Sequence, residues 1–318
     1  MTRTKSDKQT ATILIVPVAV AIVLMLFAWP ASRQEPRDLP IGVVGPVPEQ
    51  TLAAHKGAFE VHRYAGEAEA RRAIKDRDVY GAFVATGAGA KVLTASAASA
   101  SVAQLLQSAA GGGAQAEDVV PASKDDPHGS GLASSVLPMV LAGILVGLVS
   151  IFFSGSLSAR AAMVLAGSVL AGFAAVCVAQ WWFGVVEHNW AANWAAFSLV
   201  VLAIASVVSG FEALLGAAGI AVGSLTMMLI GNPFSGVSSA PEMLPRPVGD
   251  IGQLMPPGAG GNMLRSTAFF DGADAGGHLV VLLAWIAVGA VAMIAAAVRA
   301  RRAATGRTAP AEAMAVVS

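Results

Sequence analysis

Four charged residues in a Gly/Pro-rich stretch, residues 231–276, are the best candidates for a functional group in this sequence. They are Glu242, Arg246, Asp250 and Arg265. The first three are spaced i,i+4, which favours ion pairs on a helix, but Pro245 and Pro247 prevent one regular helix across them. An exposed pair contributes only about 0–1 kcal/mol, so a functional role requires partial burial. They therefore either anchor this stretch at a membrane surface or form an outer gate that closes a passage.

Patterns for catalysis, cofactors and metals are weak. His55 and His62 do not have a metal-ligand spacing such as His-x-x-x-His. No Gly-x-Ser-x-Gly elbow surrounds a serine, and no phosphate-binding loop pattern occurs. The single cysteine, Cys177, allows neither an intrachain disulfide nor a cysteine-based metal site. The sequence therefore predicts a protein that is not an enzyme, with no catalytic, cofactor-binding or metal-ligating residue.

The composition indicates a membrane protein. Of the 318 residues, 55% are hydrophobic and 13% are charged, and that charged share is about half of the soluble norm. Lys and Arg number 20 and so do Asp and Glu, so nothing in the net charge favours nucleic acid as a partner. A soluble domain could not cover its surface with so few charges, which leaves the lipid bilayer as the main partner.

Six apolar segments approach or reach the roughly 20 residues that a spanning helix needs. They comprise residues 11–29, 131–154, 161–183, 193–209, 213–230 and 277–298. This pattern predicts an α-helical integral membrane protein with six transmembrane helices (1+5) and a small α/β extracytoplasmic domain between helices 1 and 2. The first segment could instead be a cleaved signal peptide, but its apolar core exceeds the roughly 7–15 residues of such peptides, which favours an uncleaved anchor.

Basic residues in short flanks predict the orientation, because they favour the cytoplasmic side. They occur before helix 1, in the turn after helix 2 and after helix 6: Arg3, Lys5, Lys8, Arg160, Arg299, Arg301, Arg302 and Arg307. An even number of spans places all of them on one side. The prediction is a multi-pass protein of the plasma (inner) membrane with both termini cytoplasmic.

The chain divides into five predicted regions. The first two are a cytoplasmic tail with transmembrane helix 1 (1–30) and the extracytoplasmic α/β domain with its linker (31–130). Transmembrane helices 2–5 follow (131–230), then an outer re-entrant or interfacial loop with short helices near 247–254 and 262–270 (231–276). Transmembrane helix 6 and a basic cytoplasmic tail complete the chain (277–318). Within the second region the predicted order is βαβαββα, with a helix opening at Pro48, and residues 111–131 are predicted to be a flexible linker.

Several segments resemble a known family. They are DLPIGVVGP from Asp38, EARRAIKDRDVYGAFV from Glu69, GNPFSGVSSAPEMLP from Gly231 and IGQLMPPGAGGNMLRS from Ile251. Together with the 1+5 arrangement, they resemble the membrane-spanning permeases of the type-2 ABC exporters. The likeness is greatest to the branch with one span, a large outer domain and five spans, which includes the phage-infection-protein group.

The resemblance implies a homo- or heterodimer of permeases that exports lipids, drugs or polymers and is driven by two separate P-loop ATPase subunits. The family has no catalytic residues in the permease. One departure is the short turn at residues 155–160, where family members usually place a coupling helix that receives the ATPase. The expected function is a permease subunit that exports a hydrophobic or amphipathic substrate. The alternative is a non-transporting membrane scaffold or surface receptor that acts through its extracytoplasmic domain.

Overall fold

The computed structural model describes residues 5–46, 57–87, 89–111 and 114–315. Arg3, His55 and the helix predicted to open at Pro48 lie outside the described residues. Helix α1 (Lys5–Ser32) leads into a small α/β domain, and a bundle of apolar helices follows that domain in the chain.

The α/β domain contains one five-stranded sheet. Its elements are β1 (Leu39–Val44), β2 (Phe59–Tyr64), α2 (Glu67–Lys75), β3 (Gly81–Thr86), β4 (Gly89–Thr94), α3 (Ala100–Ala110) and β5 (Gln115–Asp118). The strand order is β2-β1-β3-β4-β5, and only the β3–β4 pair is antiparallel. The central strand β1 is an apolar run that is almost fully buried, as expected for a parallel strand covered on both faces.

The two helices of the domain cover opposite faces of the sheet. Ala70 and Ile74 of α2 pack in one cluster, and Val102 and Leu106 of α3 pack in the other. Each cluster is completed from the later part of the chain: Phe270 joins the α2 side, and Ala240 and Met243 join the α3 side. The hydrophobic core of the domain is therefore shared with the segment that precedes the last helix.

Residues 114–131, predicted to be part of a flexible linker, instead contain an edge strand and a turn that is held by a buried aspartate. Strand β5 pairs in parallel with β4. The buried carboxylate of Asp126 then accepts hydrogen bonds from the backbone N–H groups of Gly131 (2.9 Å) and Leu132 (3.1 Å). One of the acidic residues that suggested a linker, Asp126, is therefore a helix-capping residue. It accepts hydrogen bonds from backbone N–H groups that have no partner within the first turn of a helix.

An alternating cluster of four charges fixes β5 to the domain. Arg71 lies 2.6 Å from Glu67 and 2.5 Å from Glu117, and Lys91 lies 2.8 Å from each of the same two carboxylates. Hydrogen bonds from Arg71 and Lys91 lower the pKa of Glu117 from its ordinary 4.5 to about 2. The charge of Glu117 therefore stabilises the folded state above pH 4.5, and this stabilisation is lost as the pH falls through about 2.

We expect the variant Glu117→Gln to lower the thermal unfolding temperature at neutral pH and to flatten its dependence on pH between 4.5 and about 2. Thermal unfolding of the purified full chain at stepped pH measures both effects. Glu60→Gln is the matched control, because Glu60 is exposed on β2 and its carboxylate lies 3.5 Å from the His62 ring, outside the cluster. If the two variants share one pH profile, the cluster does not stabilise the sheet.

Beyond the domain, the chain forms a bundle of apolar helices. They are α4 (Ser130–Ser134), α5 (Val136–Phe153), α6 (Leu157–Val176, extended by a π-helix, Cys177–Trp182), α7 (Trp190–Leu215) and α8 (Ala217–Leu225, extended by a π-helix, Thr226–Gly231). A 3₁₀ turn (Pro241–Met243), α9 (Val248–Gln253), α10 (Pro256–Phe269) and α11 (Ala275–Ala315) complete the described chain.

Five helices are long and apolar enough to cross a membrane. They span Ile13–Ser32, Ser130–Phe153, Leu157–Trp182, Trp190–Leu215 and Ala275–Thr305. The prediction of a helical multi-pass membrane protein agrees with this, but the count of six is not confirmed. The segment that was predicted to span at 213–230 is a shorter helix, Ala217–Gly231. Helix α7 continues through the expected gap at 210–212, and the chain turns only at Gly216, where φ is +65°.

Helix α7 lies at the centre of the bundle. Gly143 and Gly147 of α5 lie against Ile204 and Val208 of α7. Gly219 and Gly223 of α8 lie against the returning end of α7, and Gly289 of α11 touches its backbone at Ser206. Small residues let helix backbones approach closely in a membrane protein, so the glycine pattern of this sequence serves packing within the chain.

The end of the bundle away from the α/β domain, here called the distal end, carries two polar contacts and a short turn. Arg160 at the start of α6 forms an ion pair with Glu212 of α7. Arg299 of α11 donates a hydrogen bond to the backbone oxygen of Leu214 (3.5 Å). Only residues 154–156 separate α5 from α6 at this end, so the turn is as short as the sequence predicts.

Candidate functional site

Arg77 joins the α/β domain to the bundle. It follows α2 in a turn with φ of +66°, a conformation that costs a non-glycine residue roughly 1 kcal/mol or more. Its Nη1 donates to the backbone oxygen of Asn262 (2.9 Å) and to Ser266 Oγ (2.5 Å), and its Nη2 donates to Asn262 Oδ1 (3.2 Å). The guanidinium also lies 5.3 Å from the ring centroid of Phe270. Burial lowers the pKa of Arg77.

A second arginine, Arg265, lies buried behind the same asparagine. It donates to the backbone oxygen of Val237 and to Asn262 Oδ1 (3.4 Å), so Asn262 accepts from both guanidinium groups. Burial, together with repulsion from Arg77, lowers the pKa of Arg265 to about 10. Among the described residues, neither arginine forms an ion pair with a carboxylate within 4 Å. One buried and one partly buried cation held only by neutral acceptors are energetically costly and make this layer a functional candidate.

A cavity of about 420 Å³ lies beside this layer, between the domain, residues 241–254 and the start of α11. Side chains of both charge signs line it: Arg37, Arg77, Arg246, Glu242, Asp250 and Asp274, with Tyr80 and His278. Three of the four predicted site residues, Glu242, Arg246 and Asp250, therefore meet at one cavity. Arg265 does not line it.

Glu242, Arg246 and Asp250 do not pair with one another, in keeping with the prediction that Pro245 and Pro247 prevent one regular helix across them. Arg246 Nη2 instead lies 2.9 Å from Asp38 Oδ2, and both groups are exposed. Glu242 Oε2 accepts a hydrogen bond from the Tyr80 hydroxyl (2.9 Å), and burial beside this carboxylate raises the pKa of Tyr80. The 3₁₀ turn ends at Met243 and α9 begins only at Val248, so no helix aligns the four residues. Their role as a gate or an anchor remains a prediction.

Sequence reasoning missed Arg37, Arg77, Tyr80, Asn262 and His278. Arg77 stands in the highly charged stretch after Glu69, where the residue spacing does not distinguish an arginine that contacts the bundle from one that is exposed. Asn262 and Ser266 were included in a predicted short helix, but α10 begins at Pro256, six residues before that prediction. Proline suits the first turn of a helix, and this signal could have placed the start correctly.

A second cavity, of about 750 Å³, lies between α5 and α6 in the half of the bundle nearest the domain. Its walls are apolar and small, including Pro138, Ala142, Ala171 and Ala174. Polar residues lie at the end nearest the domain: Asp125, Asp126, Ser130, Ser134 and Ser135. We call this feature the α5–α6 cleft. Its volume lies within the roughly 300–1,000 Å³ of small-molecule sites.

These features define a class: a multi-pass helical membrane protein that carries a small α/β domain on one end of its bundle. Among the described residues, no group of three or more His, Cys, Asp or Glu side chains is placed to hold a metal ion. No protein-family model, curated protein or solved structure matches the chain. The resemblance to type-2 ABC permeases thus remains an expectation from sequence.

Proposed function

We propose that this chain is the membrane-spanning permease subunit of an exporter, which moves a hydrophobic or amphipathic substrate and is energised by a separate ATPase. The α5–α6 cleft is the observation that carries the proposal. It combines apolar walls at the level of the spanning helices with a polar end beneath the α/β domain. Such a cleft suits a molecule that has one apolar part and one polar part.

The rim of the cleft makes it accessible from the side. Ser134 and Pro138 of one wall and Ala174 and Val178 of the other are exposed. A substrate dissolved in the bilayer can therefore enter laterally and leave at the domain end. The mid-span interiors carry no acidic or basic side chain of the kind that drives ion-coupled carriers, so the energy source in this proposal is a partner ATPase.

The proposed topology has six traverses in the plasma (inner) membrane, with α8 as the short fifth traverse and both termini in the cytoplasm. Arg160 and Arg299 lie at the distal end, and Arg301 and Arg302 follow on α11, as the positive-inside rule requires for a cytoplasmic side. Exposed aromatic side chains lie at the two ends of the spans and suit the membrane interfaces. They are Trp181 and Trp182 near the domain, and Phe152 and Phe153 at the distal end.

The ATPase contact in this proposal lies on α11 and not on a coupling helix. The three residues that connect α5 to α6 leave no room for such a helix. Helix α11 continues to Ala315, past its uncharged run, which ends at Val298, and it exposes Arg301 and Arg302. A basic helix end of this kind can receive an acidic surface of a partner protein, and a second copy of the permease would supply the other half of the exporter.

The same short turn favours a second candidate function, a non-transporting membrane scaffold or surface receptor that acts through its α/β domain. Affinity purification in mild detergent separates the two. An exporter should bring along a P-loop ATPase, and the double variant Arg301→Glu, Arg302→Glu should lose it at an unchanged membrane level, because the contact is electrostatic. Arg63→Glu is the control, since Arg63 is exposed on β2 of the α/β domain.

Each outcome supports one of the two functions. An ATPase that is retained by the wild type and by Arg63→Glu, and lost from the double variant, supports the exporter and its contact on α11. A wild-type chain that repeatedly purifies without any ATPase, but with an envelope protein, supports the scaffold or receptor. Reporter fusions at Ser318 and at Gly112 test the topology, and equal signals from both would exclude it.

A further inference from the structure

We infer that the substrate is a cationic amphiphile, held with its apolar part in the α5–α6 cleft and its positive head group beside Asp125 and Asp126. This inference rests on the proposed function and deepens it, because it names the class of molecule that is exported. It depends on three properties of the cleft, namely its shape, its position along the bundle and the sign of the charge at its polar end.

The shape of the cleft follows from where α5 and α6 touch. Gly167 of α6 lies against Val146 of α5 near the middle of the bundle. Between this contact and the domain, the small side chains of Ala171, Ala174 and Ala175 do not fill the space between the two helices. Both helices still pack on α7, whose buried Phe197 and Val201 form the floor of the cleft. The result is a groove that is closed at its distal end and along its back.

The length of the groove matches one leaflet of a bilayer. Twelve residues separate Val146 from Ser134 at the polar end, which corresponds to roughly 18 Å along a helix. The hydrocarbon part of one leaflet is about 15 Å thick, half of the roughly 30 Å core. An apolar chain from the leaflet nearest the domain can therefore lie in the groove while its head group remains at the polar end.

The polar end carries negative charge only. Asp125 and Asp126 are the charged residues that line the cleft, and no Lys, Arg or His side chain lines it. The adjacent Lys124 lines a different cavity, together with Glu187 and Asp271. A head group with a positive charge therefore meets complementary charge here, and an anionic head group meets repulsion.

The two carboxylates differ in what they can offer. Asp126 is buried and already accepts hydrogen bonds from the N–H groups of Gly131 and Leu132 and from the Ser130 hydroxyl (3.1 Å). Asp125 is exposed, and within the described part of the chain its carboxylate forms no hydrogen bond or ion pair; it lies against the backbone of Gly184. Asp125 is thus the group that contacts the head group, and Asp126 fixes the turn that presents it.

Two fluorescent probes with the same chain and opposite charge test the inference. The purified full chain in phosphatidylcholine nanodiscs is titrated with a dansyl-labelled undecyl trimethylammonium and with dansyl-labelled undecanoate, and the signal of empty nanodiscs is subtracted. We expect the cationic probe to bind roughly five- to tenfold more tightly, since one partly solvated charge contact contributes about that factor. Asp125→Asn should remove the preference and leave the affinity for the anionic probe equal or higher.

A second pair of variants tests the cleft itself. Ala174→Phe fills the cleft and should weaken the binding of both probes at least tenfold. Leu170→Phe is the matched control, because Leu170 lies exposed one turn earlier on α6 and does not line the cleft; it should leave binding unchanged. Both variants must retain wild-type membrane levels for the comparison.

Three results would overturn the inference. Equal binding of the two probes would exclude the charge preference, and unchanged binding by Ala174→Phe would exclude the cleft as the site. Failure of both probes to bind would exclude the amphiphile class. None of these results affects the co-purification of an ATPase, so the exporter can stand when the substrate class fails, and the reverse also holds.

Discussion

Arg77→Met should destabilise the attachment of the α/β domain to the bundle by about 3 kcal/mol. The variant removes three hydrogen bonds from a partly buried charged group to Asn262 and Ser266. Bonds to charged groups contribute roughly 1.5–3 kcal/mol each, and this loss is partly offset because the charge no longer has to be desolvated. Hydrogen exchange of the full chain in detergent measures the effect, as faster exchange of the α10 amides and of the turn after α2.

Arg246→Met is the matched control for this prediction. Arg246 also joins the domain to the segment before α10, but its ion pair with Asp38 is exposed, and such pairs contribute only about 0–1 kcal/mol. Exchange in α10 should therefore remain near that of the wild type. Similar exchange in both variants would mean that the buried layer around Asn262 does not hold the domain in place.

Gly289→Leu should prevent α11 from packing on α7. A Cβ atom at Gly289 would overlap the carbonyl group of Ser206, and one at Gly210 would overlap the carbonyl group of Gly289. Both neighbours are backbone and cannot move aside, so the cost should reach about 3 kcal/mol or more, the upper range for overpacking. Size-exclusion chromatography after mild extraction should show a large loss of monodisperse protein.

The same helix supplies the control for this second prediction. Gly277→Leu adds the same side chain to the first turns of α11, where a Cβ atom meets no other atom within 4 Å. This variant should elute like the wild type. If Gly277→Leu loses as much monodisperse protein as Gly289→Leu, the added leucine side chain causes the loss in both variants, and the close contact between α11 and α7 does not.

The sequence predicts the long helices well because hydropathy alone determines them. Three of the five candidate spans begin and end within four residues of the predicted segments, and the other two, Trp190–Leu215 and Ala275–Thr305, extend beyond the predicted ends at 209 and 298. The turn between α7 and α8 was placed too early because Glu212 appeared to mark it. In the structure Glu212 is still helical and pairs with Arg160, and the glycine at position 216 makes the turn.

The candidate site was harder to predict because its contacts join distant parts of the chain. The prolines beside Arg246 argued against one helix across this stretch, but the sequence did not indicate that Arg246 pairs with Asp38 or that Glu242 accepts from Tyr80. Local spacing cannot reveal such partners. The short helices near 247–254 and 262–270 were predicted approximately, and the structure adds that α10 is buried along nearly all of its length.

The contacts of Arg77 also determine the order in which the molecule can be completed during synthesis. Asn262 lies 185 residues after Arg77, so at roughly 5–20 residues per second a ribosome needs about 10–40 s to produce it. During that interval the domain has its own strands, but it lacks Met243 and Phe270, which complete its two clusters. A chain that stops before α10 lacks Phe270 and leaves the α2-side cluster uncovered, so docking of the domain reports that synthesis has passed α10.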